Sequence, residues 1–301
     1  MIVSRCPLRV SLVGGSTDLI DFVEKHGRGS VISFPINMYT YIFLSYNNDG
    51  EYRINYSAPE TQKCIEDIKN DVAREVCSYF DLPPVTVVFN SDISSTGSGL
   101  ASSSSYTIAL VSAINKLLNL NMSQFEICKL SLDIEHKFNP LTGYQDSYGC
   151  GLGGLKRLNF YPDNIETLPL KKSVLNNTNM YLINTNSIRN STDILNDIDF
   201  DRIAPLLTLV DDLMYNIDNS DTFYKILNEG WEIKKQSSSL ISSNDVKTIG
   251  DKLENDDRIK AIKLCGAGGG GYFLAISDEV INDDGFIKID IDYVGVKSEY
   301  F

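Results

Sequence analysis

The alternation of apolar and polar residues along the chain predicts a mixture of strands and helices. Residues 39–46 (YTYIFLSY) and 85–89 (VTVVF) are rich in β-branched and aromatic residues, which is typical of strands. In residues 102–118, apolar side chains recur at three- and four-residue intervals, as on one face of a helix. A second helix is predicted where Ser123 is followed three residues later by Glu126, the pattern of a capping box. The first half of the chain is therefore expected to mix α and β structure.

The second half of the chain has a different order of elements. We predict a strand at 180–184, a long polar helical region at 205–255, and two apolar strands at 259–264 and 272–276. The last two strands flank a glycine-rich turn. This change of pattern predicts an α+β protein with two domains. The predicted domains are residues 1–165 and residues 166–301.

Composition and charge exclude several classes of protein. The 301-residue chain has 27 Lys+Arg and 40 Asp+Glu, a formal net charge of −13, which argues against a protein that coats nucleic acid. No run of about 18 uncharged apolar residues indicates a membrane span. Scattered cysteines and only two histidines argue against a zinc, dithiol or histidine-based metal site. We expect a cytoplasmic monomer or homodimer that binds neither nucleic acid nor membrane.

The most informative segment is a Gly/Ser run directly before the helix predicted at 102–118. Glycines let the backbone approach an anion closely, and the start of a helix offers unpaired N–H groups to phosphate. Serine hydroxyls can add hydrogen bonds or coordinate Mg²⁺. A polar linker into a helix would have a similar sequence, so the run alone leaves both readings open. The predicted phosphate-binding residues are Gly97, Ser98, Gly99, Leu100, Ala101, Ser102, Ser103 and Ser104.

Two further segments contain glycine turns. Residues 6–18 (CPLRVSLVGGSTD) place an arginine, two glycines and a carboxylate around a turn, and Gly268 to Gly271 lie between two predicted strands. Together with the Gly/Ser run, and in this order, they resemble the three signature motifs of the GHMP kinases, which include galactokinase, homoserine kinase and mevalonate kinase. The segments at 143–148, 185–191 and 231–235 are similar to bacterial D-glycero-D-manno-heptose 7-phosphate 1-kinases.

The resemblance implies both a fold and a reaction. The expected fold has an N-terminal α/β domain like that of a ribosomal protein and a ferredoxin-like C-terminal domain. The expected reaction is transfer of phosphate from ATP, with Mg²⁺, to the anomeric hydroxyl of a heptose 7-phosphate. The alternatives are another sugar 1-kinase, acting on fucose, galactose or an unusual capsule sugar, and a catalytically idle sensor that binds ATP and sugar.

The resemblance also implies roles for individual residues. It makes Asp146 the base, Arg9 the cation beside the transferred phosphoryl group, and Ser103 and Glu135 the Mg²⁺ ligands. These roles are chemically reasonable because a carboxylate can take the proton of a sugar hydroxyl while a guanidinium stabilises the phosphoryl charge. Each residue also has a structural alternative: Asp146 in a turn, Glu135 as a solvated helix charge, and Arg9 at a strand edge.

The expected substrate contacts lie in three of the segments. Asp18 either contacts the sugar or caps the helix that follows it. A sugar phosphate also needs a basic clamp for its distal phosphate, and Arg189 is the first candidate, with Lys25 and Arg28 behind it. The alternative for Arg189 is a solvated charge at a helix start. The full set is Gly15, Thr17, Asp18, Arg189, Gly268 and Gly269.

The chain departs from the family pattern at two glycine positions. Ala101 stands in the Gly/Ser run where the family usually has a third glycine, and Ser16 stands in the first motif in the same way. Alanine adds only a methyl group, so we expect the run to close on phosphate provided that residue 101 needs no positive φ. These departures concern the choice of substrate more than the reaction.

Overall fold

The structure, a computed structural model, describes residues 1–94, 97–171, 174–187 and 191–301. Its strands are β1 (Ile2–Val13), β2 (Gly29–Tyr46), β3 (Tyr52–Asn55), β4 (Glu60–Gln62), β5 (Val85–Ser91), β6 (Lys156–Tyr161), β7 (Asn164–Pro169), β8 (Asn179–Asn184), β9 (Ile259–Leu264), β10 (Tyr272–Ser277), β11 (Phe286–Ile289) and β12 (Lys297–Tyr300). Its helices are α1 (Ile20–His26), α2 (Asp71–Tyr79), α3 (Ser102–Leu118), α4 (Gln124–Glu135), α5 (Tyr144–Gly151), α6 (Ser191–Asn196), α7 (Phe200–Ile203), α8 (Leu206–Tyr215), α9 (Ser220–Gln236) and α10 (Asn244–Glu254).

The larger sheet is built around the long strand β2. Its strand order is β12-β1-β2-β5-β3-β4, and β6 pairs both with the first residues of β2 and with β7. All of these pairs are antiparallel except the parallel pair of β3 and β5. The register of β1 against β2 shifts between Pro7 and Arg9. Such an irregularity redirects a side chain, and here it lies at a residue expected in the site.

The smaller sheet has the order β11-β8-β10-β9 and is antiparallel throughout. In chain order this is 4-1-3-2, the strand order of a ferredoxin-like sheet. The polar region at 205–255 forms α8, α9 and α10, of which α9 and α10 pack on β9. Residues 278–285, between β10 and β11, are described and contain no helix. The predicted α+β class is confirmed.

The larger sheet contains residues from both predicted domains. The predicted boundary at 165/166 falls inside β7, which belongs to the larger sheet, and β12 returns from the C-terminal end to pair with β1. Hydrophobic periodicity does not show which distant strands pair, because pairing depends on tertiary packing. The two-domain division stays a prediction.

The helices that position the site follow the sequence pattern closely. Helix α3 spans the predicted residues, and the hydrogen bonds between Ser123 and Glu126 form the predicted capping box at the start of α4. Helix α3 packs against β1, β2, α4 and α5, so its residues from Thr107 to Ile114 are all buried. Within the described part of the chain, no helix is long and apolar enough to cross a membrane.

Candidate active site

A cleft of about 290 Å³ lies where four segments meet. These are the Gly/Ser run before α3, the glycine turn after β1, the start of α5, and the glycine turn between β9 and β10. The three motifs that the sequence singled out therefore share one cavity. The predicted site residues that line it are Arg9, Asp18, Gly97, Ser98, Gly99, Ala101, Ser102, Ser103, Ser104, Glu135, Asp146 and Gly268.

The Gly/Ser run leads into the N-terminus of α3 through a left-handed residue. Ala101 is the N-cap of the helix, with φ 62° and ψ 42°. The condition stated for the run to close on phosphate, that residue 101 needs no positive φ, is therefore not met. Ser16, the other departure from the family's glycines, also has a positive φ of 73°. Both residues hold a conformation that costs a side-chain-bearing residue roughly 1–2 kcal/mol.

The Gly/Ser run and the glycine turn after β9 touch through their backbones. A Cβ atom on Gly99 would lie 2.5 Å from the carbonyl oxygen of Cys265, and one on Gly266 would lie 2.6 Å from the Cα of Gly99. Neither position has room for a side chain, because non-bonded carbon and oxygen atoms do not approach so closely. These glycines hold the start of α3 against the smaller sheet.

Arg9 and Asp146 form an ion pair at the centre of the cleft. The Nε and Nη2 of Arg9 donate to Oδ1 of Asp146 at 3.0 and 2.6 Å, and Nη1 donates to the carbonyl oxygen of Gly99 at 2.7 Å. Arg9 is buried, whereas the side chain of Asp146 keeps 23% of its exposure in the first turn of α5. Arg9 is thus neither at a surface edge nor unpaired. Burial lowers the pKa of Arg9, but Asp146 raises it further, so the net pKa is raised and the guanidinium stays charged.

Asp18 joins the first glycine turn to α5. Its carboxylate accepts hydrogen bonds from the backbone N–H of Ser16 at 3.0 Å, from that of Gln145 at 3.1 Å, and from Nε2 of Gln145 at 2.6 Å. It does not cap the next helix, because α1 has Leu19 at its N-cap and no side-chain cap. Burial, with the charge of Asp146 beside it, raises the pKa of Asp18 to about 6.

Glu135 is a buried carboxylate whose oxygens both lack a hydrogen-bond partner in the described part of the chain. It is the last residue of α4 and lines the cleft next to Ser103 and Ser104. Burial raises its pKa to about 7, although the nearby serine hydroxyls oppose that shift. Glu135 is therefore not a solvated helix charge. An unpartnered carboxylate beside serine hydroxyls can hold a cation.

Other predicted contacts lie outside the main cleft. Thr17 is fully buried, and its hydroxyl bonds to the carbonyl oxygens of Gly14 and Ser30 at 2.8 and 3.0 Å, so it supports the turn rather than lining the cleft. Gly15 lines a smaller cavity behind the cleft. The side chain of Leu100 lies in the core.

The remaining predicted contacts are Gly269 and the candidates for the basic clamp. Gly269 does not line the cleft. Its N–H donates to the carbonyl oxygen of Ile241. Arg189 lies outside the described residues. Lys25 and Arg28 pair with Asp201 at 2.7 Å and with Asp211 at 3.5 Å, with about half of each basic side chain exposed. Neither of these two cations faces the cleft.

Sequence reasoning gave no role to some residues that line the cleft. Gln145 holds Asp18 and is the neighbour of Asp146, so its place in the same short motif was the available signal. Thr142 and Leu141 line the cleft from the loop before α5, and no pattern in the sequence marks them. The functional roles of all these residues stay predictions.

Comparison with known proteins supports this picture. Residues 64–154 match the family model of the GHMP kinases N terminal domain. The D-glycero-alpha-D-manno-heptose 7-phosphate kinase of Campylobacter jejuni is 26% identical over 92% of this chain and 89% of its own length. The L-fucokinase/L-fucose-1-P guanylyltransferase of Bacteroides fragilis is 28% identical over 61% of this chain and 21% of its own length.

The fold comparison extends over the whole chain. The crystal structure of a D-glycero-D-manno-heptose 1-phosphate kinase from Bacteroides thetaiotaomicron superposes with a TM-score of 0.77 and 21% identity, and the match covers 100% of this chain and 99% of that one. The two chains share a fold. The resemblance to GHMP kinases that the motifs predicted is confirmed.

Proposed function

We propose that this chain, which contains a GHMP kinase N-terminal domain, is an ATP-dependent sugar 1-kinase. The acceptor we propose is D-glycero-D-manno-heptose 7-phosphate, and the product is the 1,7-bisphosphate. The observation that carries the proposal is the Arg9–Asp146 pair, which lines the same cleft as the Gly/Ser run and contacts that run at Gly99. The similarity to a heptose 7-phosphate kinase over most of both chains supports the choice of sugar.

In the proposed reaction, Asp146 orients the anomeric hydroxyl and accepts its proton as the phosphoryl group is transferred. Arg9 holds the Asp146 carboxylate in one position with two hydrogen bonds to a single oxygen, which leaves Oδ2 for the sugar. The same guanidinium is fixed to the Gly/Ser run through Gly99, so its charge stays beside the transferred group. The N–H groups at the start of α3 and the hydroxyls of Ser102 to Ser104 bind the phosphates of ATP.

The residues beside the Gly/Ser run fit Mg²⁺. Glu135 has two unpartnered carboxylate oxygens next to Ser103 and Ser104, and Mg²⁺ prefers oxygen ligands. No group of three or more metal-ligating side chains occurs in residues 1–94, 97–171, 174–187 and 191–301. That suits Mg²⁺, because it keeps several waters and shares substrate phosphate oxygens. Glu135 and Ser103 would hold the ion, which would neutralise charge on the ATP phosphates.

A kinase for an unphosphorylated sugar is the second candidate. It is favoured by the similarity to a bacterial fucokinase-containing protein, although the match covers only part of that protein. The two candidates share the Arg9–Asp146 pair and differ in whether the acceptor carries a distal phosphate. Competition between the heptose and its 7-phosphate for turnover distinguishes them.

The test is a Mg²⁺-dependent ATP-turnover screen over sugars and sugar 6- and 7-phosphates, with Asp146→Asn beside the wild type. We expect turnover of the heptose 7-phosphate and a loss of kcat of about 10³-fold in the variant, since the amide cannot take the proton. ATP binding should persist. Asp133→Asn, on the exposed face of α4, is the matched control and should leave kcat unchanged.

Three other results would change the conclusion. Turnover of an unphosphorylated hexose alone would keep the kinase and discard the heptose phosphate. Equal kcat in wild type and Asp146→Asn would remove the base assignment. ATP binding without turnover of any sugar would favour the sensor.

A further inference from the structure

Two buried lysines lie behind the cleft, on the side of the smaller sheet. Lys234, in the last turn of α9, is only 8% exposed, and its Nζ donates to the hydroxyl of Ser16. Lys263, on β9, donates to the carbonyl oxygen and the hydroxyl of Ser11 at 2.6 and 3.1 Å. Every one of these partners is neutral.

Neither lysine forms a salt bridge with the described residues, and the only carboxylate that acts on Lys234 is Asp18. In the part of the chain that the structure describes, no carboxylate lies within 4 Å of either ammonium group. Arg9, whose charge acts on both lysines, is already paired with Asp146. Asp18 faces Lys234, but its three hydrogen bonds come from Ser16 and Gln145. A buried charge without a partner is costly, and the chain has 13 more acidic than basic residues with which to pair it.

The lysines lie next to the main cleft. Both line a small cavity of about 20 Å³, and two other residues of its wall, Gln145 and Gly266, also line the main cleft. The small cavity has room for a single water molecule, so a larger anion would lie in the main cleft. Ser16, whose hydroxyl accepts a hydrogen bond from Lys234, is one of the residues that line the main cleft. The buried Oε1 of Gln145 has no partner in the described chain and can accept from a ligand hydroxyl.

We propose that Lys234, assisted by the charge of Lys263, recognises the distal phosphate of the acceptor. This inference rests on the proposed function, since it requires an acceptor that carries an anion. It gives the basic clamp to Lys234, which belongs to the sequence motif at 231–235, and to Lys263 on β9. Lys25 and Arg28, the earlier candidates, are paired at the surface. The phosphate supplies the salt-bridge partner that neither lysine has among the described residues.

The protonation of the lysines supports this role. Burial, together with the charges of Lys263 and Arg9 and against the opposing charge of Asp18, lowers the pKa of Lys234 to about 7. Burial lowers the pKa of Lys263 to about 8. A bound phosphate favours the charged ammonium, so it raises these pKa values and binding takes up protons near pH 7.5. Affinity for the phosphorylated acceptor should therefore fall as the pH rises above about 8.

The kinetic test compares the heptose 7-phosphate with the free heptose. In Lys234→Met we expect KM for the phosphorylated sugar to rise about 10-fold, because the variant loses a positive charge that acts on the phosphate from behind Ser16, while KM for the free sugar changes little. Lys263→Met should have a smaller effect in the same direction. The matched control is Lys156→Met, which removes another buried lysine whose pKa burial lowers to about 7.

Lys156 differs from Lys234 in its partners, which makes the control informative. It donates to the carbonyl oxygens of Leu152 and Gly154 at 2.6 and 3.1 Å, and it lines neither cavity. Its loss should affect both sugars alike through stability. Equal KM ratios in Lys234→Met and Lys156→Met would overturn the proposal.

A calorimetric test separates this inference from the proposed function, because it needs no turnover. Inorganic phosphate is titrated into the full chain without ATP at pH 7.5, in two buffers of different ionisation enthalpy. We expect proton uptake in the wild type that Lys156→Met retains and Lys234→Met loses. Binding without proton uptake, or the same uptake in Lys234→Met, would contradict the role of Lys234. If Lys234→Met does not fold, the wild-type uptake and the Lys263→Met kinetics decide alone.

Discussion

The two sides of the cleft carry opposite uncompensated charges. On the loop side, which comprises the Gly/Ser run, the end of α4 and the start of α5, Arg9 and Asp146 neutralise each other and the carboxylate of Glu135 has no partner. On the lysine side, which comprises the turn after β1, the end of α9 and β9, Lys234 and Lys263 have only neutral partners. One side has a carboxylate without a partner, and the other has two ammonium groups without a salt bridge among the described residues.

This difference suits the proposed binding of two phosphorylated ligands by a strongly acidic protein. Burying an unpaired charge opposes folding, so a charge is stabilised there only when a ligand supplies its partner. We therefore interpret Glu135 as the place of a cation that accompanies ATP, and the lysines as the place of the acceptor's phosphate. The paired charges between them, Arg9 and Asp146, lie where the phosphoryl group would be transferred. The following variants test this division.

The largest effect is expected from removing the paired charge of the loop side. Arg9→Met removes the two hydrogen bonds that Asp146 accepts from the guanidinium, and it also removes the hydrogen bond from the guanidinium to the carbonyl oxygen of Gly99. We expect kcat to fall about 10³-fold, because both the orientation of the base and the charge beside the phosphoryl group are lost. Arg5→Met, four residues earlier on β1, where Arg5 stacks on Tyr39, should keep kcat. If both variants lose activity equally, the effect comes from β1 and not from the pair.

A smaller effect on activity, with an opposite effect on stability, is expected from Glu135→Gln. Loss of the charged ligand should lower kcat about 100-fold. The same change should stabilise the ligand-free protein above pH 7, because it removes an unpaired buried carboxylate, by about 1–3 kcal/mol.

The sign of this pH dependence follows from the raised pKa of Glu135. The ordinary pKa is 4.5 and the folded value is about 7, so the folded state holds the proton more tightly than the unfolded state between these values. Wild-type stability should therefore decline from pH 4.5 to 7, and Glu135→Gln should lack this decline. Thermal unfolding at pH 5 and 8, with and without Mg²⁺ and ADP, measures both effects. If Mg²⁺ stabilises Glu135→Gln as much as it stabilises the wild type, the assignment of Glu135 as a Mg²⁺ ligand is contradicted.

The smallest effect is expected from Ala101→Gly, which leaves all charges in place. Glycine adopts the left-handed φ of residue 101 without strain, but it also loses more entropy on folding. We expect a net stabilisation of about 0.5–1 kcal/mol with kcat within about twofold, measured by urea unfolding and steady-state kinetics. The corresponding Ser16→Gly variant also removes the acceptor of Lys234, so it should change KM for the phosphorylated sugar as well. No gain in stability for Ala101→Gly would show that the strain is negligible.

Much of the architecture around the site could be predicted from local patterns. The apolar period of α3, the capping box of α4 and the β-branched runs of β2 and β5 gave the right elements, because these signals depend on neighbours in the chain. The return of β12 to β1 could not be predicted in this way, since it pairs residues almost 300 positions apart. The same limit applies to Thr17, whose hydroxyl donates to the backbone carbonyl oxygen of Ser30 on β2.

The sequence by itself determined which residues are the candidates for the chemistry: three glycine-rich motifs, a carboxylate at Asp146 and a cation at Arg9 stand in an order that resembles the GHMP kinases. Only the tertiary structure decided which of the charges are satisfied. It pairs Arg9 with Asp146, leaves Glu135 without a partner and buries Lys234 behind Ser16. The physical reason is that burial and the distance between charges determine their energies, and both arise from contacts between segments that are remote in the chain.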